Sequence, residues 1–564
     1  MNALELFNPG RKPQLRMVRR AGIRICGIMH FGLNTFSGRE WGYGDESPEL
    51  FNPASFDPDQ IAASCKAGGL DGLILVCKHH DGFCLWPTKT TAYSVAASPW
   101  RGGKGDFVGE MAAACRRAGL EVGFYVSPWD RHDARYGRPE YVTEVFREQL
   151  REVLGNYGPA FEVWFDGANG GDGWYGGACE ERRIDRGSYY GWAETWQLVR
   201  ELQPEAAIFS DVGPDLRWVG NERGYAAPEC RGCITPRPAP GSAGEPAPGS
   251  VDEANLGCGD VDGRLCIPPE CDVPLRPGWF YHETENSSLR SVAHLVEIYE
   301  QSVGNGGFLN LGISPDASGR MHPLDVKRLA EFKQALDAIR AGEFARGSIA
   351  LNGGEAVLEF GGCRRINFVE LAEPVAEEEK VTAYTVSLRS GGKWSEVFAG
   401  ESIGLCRIRR FAETEGDALK VAVKSALAPV PELSVCAALA PGFRRDERET
   451  LRHPDYRKLE NPAVSGMEMV FKLPEETELH GFVFTPVAGR PAGTPSHCRI
   501  FAWRDGEWQC IGGAEFSNVR ANPVPQVAYF SGTRAKRLKF VATRLLEPAP
   551  ELLCAEFGIL SCSH

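Results

Sequence analysis

A chain of 564 residues, with 43% apolar and 24% charged side chains, has the composition of a soluble globular protein and the length of roughly three domains. Its 75 acidic against 62 basic side chains give a formal net charge of −13, which argues against a nucleic-acid or anionic-membrane partner, because phosphate binding needs a basic field. The opening MNALELFNPGRKPQLRMVRRAG holds no apolar leader core and no apolar run of spanning length follows, so the expected location is the cytoplasm, with no membrane segment.

From Arg24 to Leu311 short apolar runs alternate with helix-like segments. Buried strands are predicted at 25–31, 72–77, 121–126, 162–165, 207–210, 279–282 and 307–311, and helices at 59–68, 106–118, 141–154 and 189–202. Asp57-Pro58 reads as a cap followed by proline at the first helical position. This alternation indicates a parallel α/β architecture, best fitted by a (β/α)8 TIM barrel over 1–342, with a doubly wound sheet as the alternative. The run Gly304-Asn-Gly-Gly-Phe308 precedes a strand instead of joining one to a helix, so it lacks the geometry of a phosphate cradle. Residues 237–250, RPAPGSAGEPAPGS, read as a mobile loop insertion.

A helix over 323–341 closes this region, and the composition then changes. Short strands at 380–388, 405–411, 419–423 and 432–437 predict an antiparallel β-sandwich over 343–440. A second set at 466–473, 479–485, 498–502, 508–511 and 537–542 predicts another over 441–564. Many of the eighteen cysteines, such as Cys26, Cys77 and Cys115, sit in apolar segments where a thiol behaves as a small hydrophobe. Cys230 and Cys233 form a CxxC followed by Cys258, Cys266 and Cys271, but the irregular spacing makes zinc the lesser reading, and no metal or cofactor is expected.

The unusual polar residues fall just after predicted strands. His30 follows the first, with Glu40-Trp41 in its loop; His79 and His80 follow the second, Tyr125 ends the third, and Trp164-Phe-Asp166 ends the fourth. A barrel gathers such positions on its carboxyl-terminal face, so one pocket is expected to hold them all. The plain alternatives are an Asp166 that only caps its own turn, and a His79/His80 pair of which one is a satisfied core histidine and the other solvated. Trp41, Trp86, Trp129, Trp164, Trp174 and Trp279 supply flat apolar faces beside these groups, a mixture suited to a sugar ring. Glycosidic hydrolysis usually needs two carboxyl groups. Asp166 is the first; Glu222 and Glu270 are both candidates for the second, and residue types alone do not choose between them, each having an ion pair with Arg217 or Arg276 as its plain alternative.

Together, His30-Phe-Gly, Glu40-Trp-Gly, Lys78-His-His-Asp-Gly-Phe83, Trp164-Phe-Asp-Gly167 and Arg276-Pro-Gly-Trp-Phe-Tyr281 resemble the α-L-fucosidases of glycoside hydrolase family 29. The resemblance extends to the first sandwich, and the last region resembles a discoidin-type carbohydrate-binding module. It implies a retaining exo-glycosidase that releases terminal L-fucose from a fucosylated glycan through a covalent fucosyl-enzyme, with Asp166 as nucleophile. The segment Pro214-Asp-x-Arg-Trp-Val-Gly-Asn-Glu222 is similar to the one carrying the acid/base in the α-1,3/1,4-preferring subfamily, which favours Glu222 over Glu270. His30, Glu40, Trp41, His79, His80, Tyr125 and Trp164 match positions that hold the sugar, and Trp279 one that packs near its methyl group. The loop 172–185, with Trp174 and Tyr175, departs from the family pattern in length and bears on leaving-group preference. A fucose-binding lectin and a glycosidase for another sugar, such as galactose, are the rival readings.

Overall fold

In the computed structural model, residues 3–167, 172–175, 180–286, 288–443, 455–516 and 519–561 are described, the side chains of 172–175, 180, 181 and 284 excepted. Eight parallel strands close into a barrel: β1 (Ile25–Met29), β2 (Gly72–Lys78), β3 (Glu121–Val126), β4 (Glu162–Trp164), β5 (Ala207–Ser210), β6 (Leu216–Trp218), β7 (Pro269–Pro274) and β8 (Phe308–Ile313). Each pairs with its sequence neighbours, and β8 returns to β1 with Leu309 opposite Ile25. Parallel barrel strands are covered on both faces, which is why β2 reads GLILVCK and is buried throughout.

Helices pack outside where the sequence supplies caps. Asp57 Oδ1 accepts from Gln60 N at 2.9 Å ahead of Pro58–Ala67, and Asp106 Oδ1 does the same for Gly109 N ahead of Phe107–Arg117. Further helices cover Arg147–Asn156, Trp192–Leu202, Val292–Ser302 and Pro323–Ala341. No α-helix joins β5 to β6 or β6 to β7; the second link, 219–268, is a long loop with a short ribbon in which Cys233 stands opposite Cys266. The insertion 237–250 is stitched back by Gly249 N donating to Asp211 Oδ2 at 2.8 Å.

The strand predicted at 279–282 does not form. Its aromatic run belongs to the loop after β7, and the strand lies earlier, at Pro269–Pro274, with β6 as a second strand that apolar patterning does not mark. In β7 the polar Glu270 and Asp272 alternate with the apolar Cys271 and Val273, and prolines close both ends. Charge on the inward face and proline at the termini hide this strand from a hydrophobic reading.

Beyond the barrel, Glu343–Ala350, Glu355–Ala372, Val381–Ser390, Lys393–Gly400, Arg407–Ala426 and Glu432–Ala438 form an antiparallel sheet. The segments predicted at 405–411 and 419–423 are two ends of one long strand, Arg407–Ala426, whose pairing shifts register on the way. This sheet folds over a core including Leu358, Val369, Leu371, Val386, Leu419 and Val435. It also grips the barrel's long loop: Arg407 donates to Pro228 O at 2.8 Å and Cys230 O at 2.7 Å, Arg231 to Val381 O at 3.0 Å, and Gly232 N to Glu379 Oε2 at 2.7 Å. One compact unit accordingly takes in Met1–His282 and Ser291–Arg445, and the other Glu283–Arg290 and Asp446–His564. The second unit carries the last antiparallel sheet around Phe471, Phe482, Phe484, Ile500, Phe540 and Phe557, with the Phe482 and Phe540 rings stacked at 5.3 Å. Among the described residues no helix is long and apolar enough to cross a membrane.

Candidate active site

The floor of the barrel is ionic. Arg20, fully buried, donates to Glu162 Oε2 at 2.6 Å and to Glu270 Oε2 at 2.7 Å, both carboxylates being wholly buried as well. Glu270 Oε1 also accepts from Trp164 Nε1 at 2.9 Å and Asn310 Nδ2 at 3.0 Å. Glu270, the alternative candidate for the acid/base, thus has both oxygens engaged by Arg20, Trp164 and Asn310 at the barrel floor. Among the described residues, neither arginine considered as a partner for Glu222 or Glu270 pairs with them: Arg217 donates to the backbone carbonyls of Leu256, Arg231 and Gly232, and Arg276 pairs with Asp325 at 2.6 Å. Trp164 lies stacked between Tyr125, 5.3 Å away, and Phe209, 4.2 Å away, so it forms the bottom of the pocket.

Above this floor the predicted residues converge. The His30 and His79 rings are 5.6 Å apart, and those of His79 and His80 4.1 Å. His80 Nδ1 meets Ser127 Oγ at 2.8 Å, while its Nε2 lies 3.5 Å from Asp166 Oδ2. The Tyr125 hydroxyl donates to the same Asp166 oxygen at 3.0 Å. Trp41 packs edge-on against His80 at 5.0 Å and Trp129 at 5.3 Å. Burial holds His30 and His80 down to about 4, and His79 well below its ordinary range, so all three are neutral near pH 7. Burial, and then the Asp166 charge, push Tyr125 well above its usual range, which keeps its proton available for donation. The motif Lys78-His-His-Asp81 therefore divides. His79 and His80 face the mouth, whereas Lys78 bonds Asp130, Tyr141 and Gln149, and Asp81 caps Phe83 N at 2.6 Å.

Glu40 reaches across from the loop after β1 to fix the loop after β7. Its Oε2 accepts from Trp279 N at 2.7 Å, and its Oε1 from Phe280 N at 3.3 Å with His282 Nε2 at 2.9 Å. Gly278 leaves room for this clamp, since a Cβ there would lie 2.4 Å from Glu40 Oε1. So oriented, Trp279 packs 4.9 Å from His30 and donates Nε1 to Glu222 Oε2 at 3.0 Å. Burial raises Glu222 well above the usual carboxylate range; Asp272, Asp166 and Glu40 add to this, and the Trp279 bond works against it.

Sequence reading passed over Asp272, Trp218 and His282. Trp218 Nε1 donates to Asp272 Oδ1 at 2.7 Å. The signal for Asp272 was present in the alternation Glu270-Cys-Asp272, but only a correctly placed strand reveals that both acids face inward. Of the six tryptophans, Trp86 is elsewhere, buried and bonded to Glu152 at 2.8 Å, and the side chains of Trp174 and Tyr175 lie outside the described residues. The backbone of 172–175 pairs with 180–183 as a short antiparallel ribbon. Cys230 and Cys233 take different neighbours, Arg217 and Cys266, and among the described residues no group of three or more His, Cys, Asp or Glu is placed to hold a metal ion.

The carboxyl groups of Asp166 and Glu222, neutral imidazoles and aromatic walls at one barrel mouth are the kinds of group that glycosidic cleavage uses. Comparison with known proteins agrees. The Alpha-L-fucosidase family model matches residues 22–233. The chain is 34% identical over 461 residues to Alpha-L-fucosidase 1 of Arabidopsis thaliana, covering 75% of this chain and 87% of that protein. It is 35% identical to Putative alpha-L-fucosidase 1 of Oryza sativa subsp. japonica, covering 71% and 80%. Among solved structures, a glycoside hydrolase 29 family member from an unknown rumen bacterium superposes with a TM-score of 0.71 at 36% identity, covering 98% of this chain and 100% of that one. A putative alpha-L-fucosidase from Bacteroides ovatus ATCC 8483 gives 0.67 at 32%, covering 100% and 98%. The chain belongs to the α-L-fucosidase family, family 29 of the glycoside hydrolases.

Proposed function

We propose that this enzyme is a retaining exo-α-L-fucosidase that removes terminal α-1,3/1,4-linked L-fucose from glycans, with Asp166 as nucleophile and Glu222 as general acid/base. The observation that carries the reading is the contrast between the two carboxyl groups. Asp166 accepts from the Tyr125 hydroxyl and is open enough to reach a substrate, with 23% of its side chain exposed, whereas Glu222, half-buried and bonded to Trp279, has its proton affinity raised by desolvation and by the neighbouring Asp272 charge. In the first step Asp166 attacks the anomeric carbon, the glycosidic C–O bond breaks, and Glu222 gives its proton to the departing oxygen. In the second, Glu222 takes a proton from water as the oxygen of that water displaces Asp166, and free fucose leaves with its anomeric configuration retained. His30, His79 and His80 are uncharged and serve as hydrogen-bonding partners for sugar hydroxyls; Trp279 supplies an apolar face for the methyl group. The catalytic groups lie within 1–342, and the sandwiches 343–440 and 441–564 accompany them, the last being of the discoidin-like class.

Asp166→Gly is expected to lose nearly all turnover of 4-nitrophenyl α-L-fucoside and to regain part of it with azide, releasing a fucosyl azide. Wild-type activity in that variant refutes the assignment. Glu222→Ala is expected to spare the nitrophenyl substrate far more than a natural disaccharide. A panel of α-1,2, α-1,3, α-1,4 and α-1,6 fucosides reads the linkage preference, and nitrophenyl galactosides test the rival sugar.

A further inference from the structure

The seam between β6 and β7 carries an arrangement that the two-carboxylate mechanism leaves unused. Trp218, the last residue of β6, stands in register with Glu270, and its indole reaches two residues further along β7 to Asp272 Oδ1 at 2.7 Å. Trp279, on the loop after β7, reaches the opposite way, to Glu222 on the loop after β6, at 3.0 Å. Two indoles thus cross one seam in opposite directions, each donating to a carboxyl group, which places the half-buried Glu222 and the buried Asp272 on the same seam. Asp272 is only 5% exposed, and among the described residues neither carboxyl group forms an ion pair with a lysine or arginine.

We propose that Asp272 is a positioning residue for the acid/base: held by Trp218, it keeps on Glu222 the proton that the departing oxygen must receive. This rests on the assignment of Glu222 made above. Two neighbouring carboxyl groups, one buried and one half-buried, with no cation beside them hold a proton between them, since both cannot ionise cheaply. The shorter indole bond falls on Asp272, which favours the anion there and leaves the proton with Glu222. The groups facing Glu222 are Asp272 from β7, Asp166 from beyond β4, Glu40 from the loop after β1 and the Trp279 N–H; after burial, Asp272 contributes most to its raised affinity for a proton. Asp272 is itself raised by burial, and then by Glu270 and Asp166.

The test is the pH dependence of kcat/KM on a natural fucosyl disaccharide for wild type, Asp272→Asn and Glu222→Gln. Asparagine keeps the shape and the acceptor for Trp218 while deleting the charge. The expected result for Asp272→Asn is a basic limb displaced by about one pH unit or more to lower pH, that is about tenfold lower kcat/KM on the alkaline side, with near-normal melting. An unmoved basic limb in a folded Asp272→Asn overturns the proposal, because a residue that only braces Trp218 does not move it. Glu222→Gln retaining the wild-type profile instead refutes the acid/base assignment, so the two failures are separable. If the asparagine variant does not fold, Asp272→Ser deletes the same charge and carries the measurement.

Discussion

Replacing Glu270 by glutamine separates the two glutamates that residue types alone could not tell apart. The carboxylate accepts three buried hydrogen bonds, from Arg20 at 2.7 Å, Trp164 at 2.9 Å and Asn310 at 3.0 Å, and a glutamine can serve these donors with only one oxygen. Breaking a fully buried ion pair costs about 3–5 kcal/mol. Here Glu162 remains, 2.6 Å from Arg20, and is relieved of the like charge of Glu270, which now helps to raise it, so the expected loss is at the low end, about 3 kcal/mol. In a barrel of this size that lowers the melting transition by roughly 4 °C. Activity on the nitrophenyl substrate and on a disaccharide should fall by the same modest factor, because Glu270 supports Trp164 from below and donates nothing to a leaving group. Calorimetry and the ratio of the two kcat/KM values check both halves. Unchanged melting together with selective loss of the disaccharide would falsify the reasoning and return the acid/base role to Glu270.

Tyr125→Phe removes a hydrogen bond to Asp166, the proposed nucleophile, worth about 1.5–3 kcal/mol, so kcat should fall about 10- to 100-fold with the fold intact; a change within twofold excludes Tyr125 from holding Asp166 in the reaction. His30 and His80, held neutral at about 4 when folded, take up protons near 6.5 when unfolded. The unfolded chain then binds more protons between these values, so stability falls as pH drops through this window, by up to about 3 kcal/mol for each histidine, and the full loss is present below pH 4. Urea unfolding at pH 7, 5.5 and 4 measures the slope, and His80→Gln should flatten it; an unaltered slope removes His80 from the account.

The convergence of much of the candidate site could be read from sequence because it obeys a simple rule: polar residues immediately after apolar strands. Asp166 after Val163-Trp-Phe, and His79 and His80 after the apolar run Leu73–Cys77 of β2, stand out against their neighbours. β7 did not, because its inward positions are acids whose partners come from far along the chain. Glu270 is matched by Arg20, 250 residues away, and Asp272 by Trp218, 54 residues away. Arg20 lies in the basic stretch LRMVRR, which looks like a solvated helix face. Periodicity records burial of apolar side chains and is blind to charge compensated across the barrel. The aromatic stretch 279–282 misled for the converse reason, since apolar side chains that line a pocket look like those that fill a core.

The grip of Arg407 and Glu379 on the segment 228–232 bears on how the enzyme can be divided. That segment descends from Glu222 within the same long connection, and its backbone carbonyls and amide are satisfied by the first sandwich. A fragment ending at residue 342 would strip those partners away and let Glu222, the proposed acid/base, drift, although every residue assigned to the chemistry were still present. The smallest excisable hydrolase therefore runs on through the first sandwich.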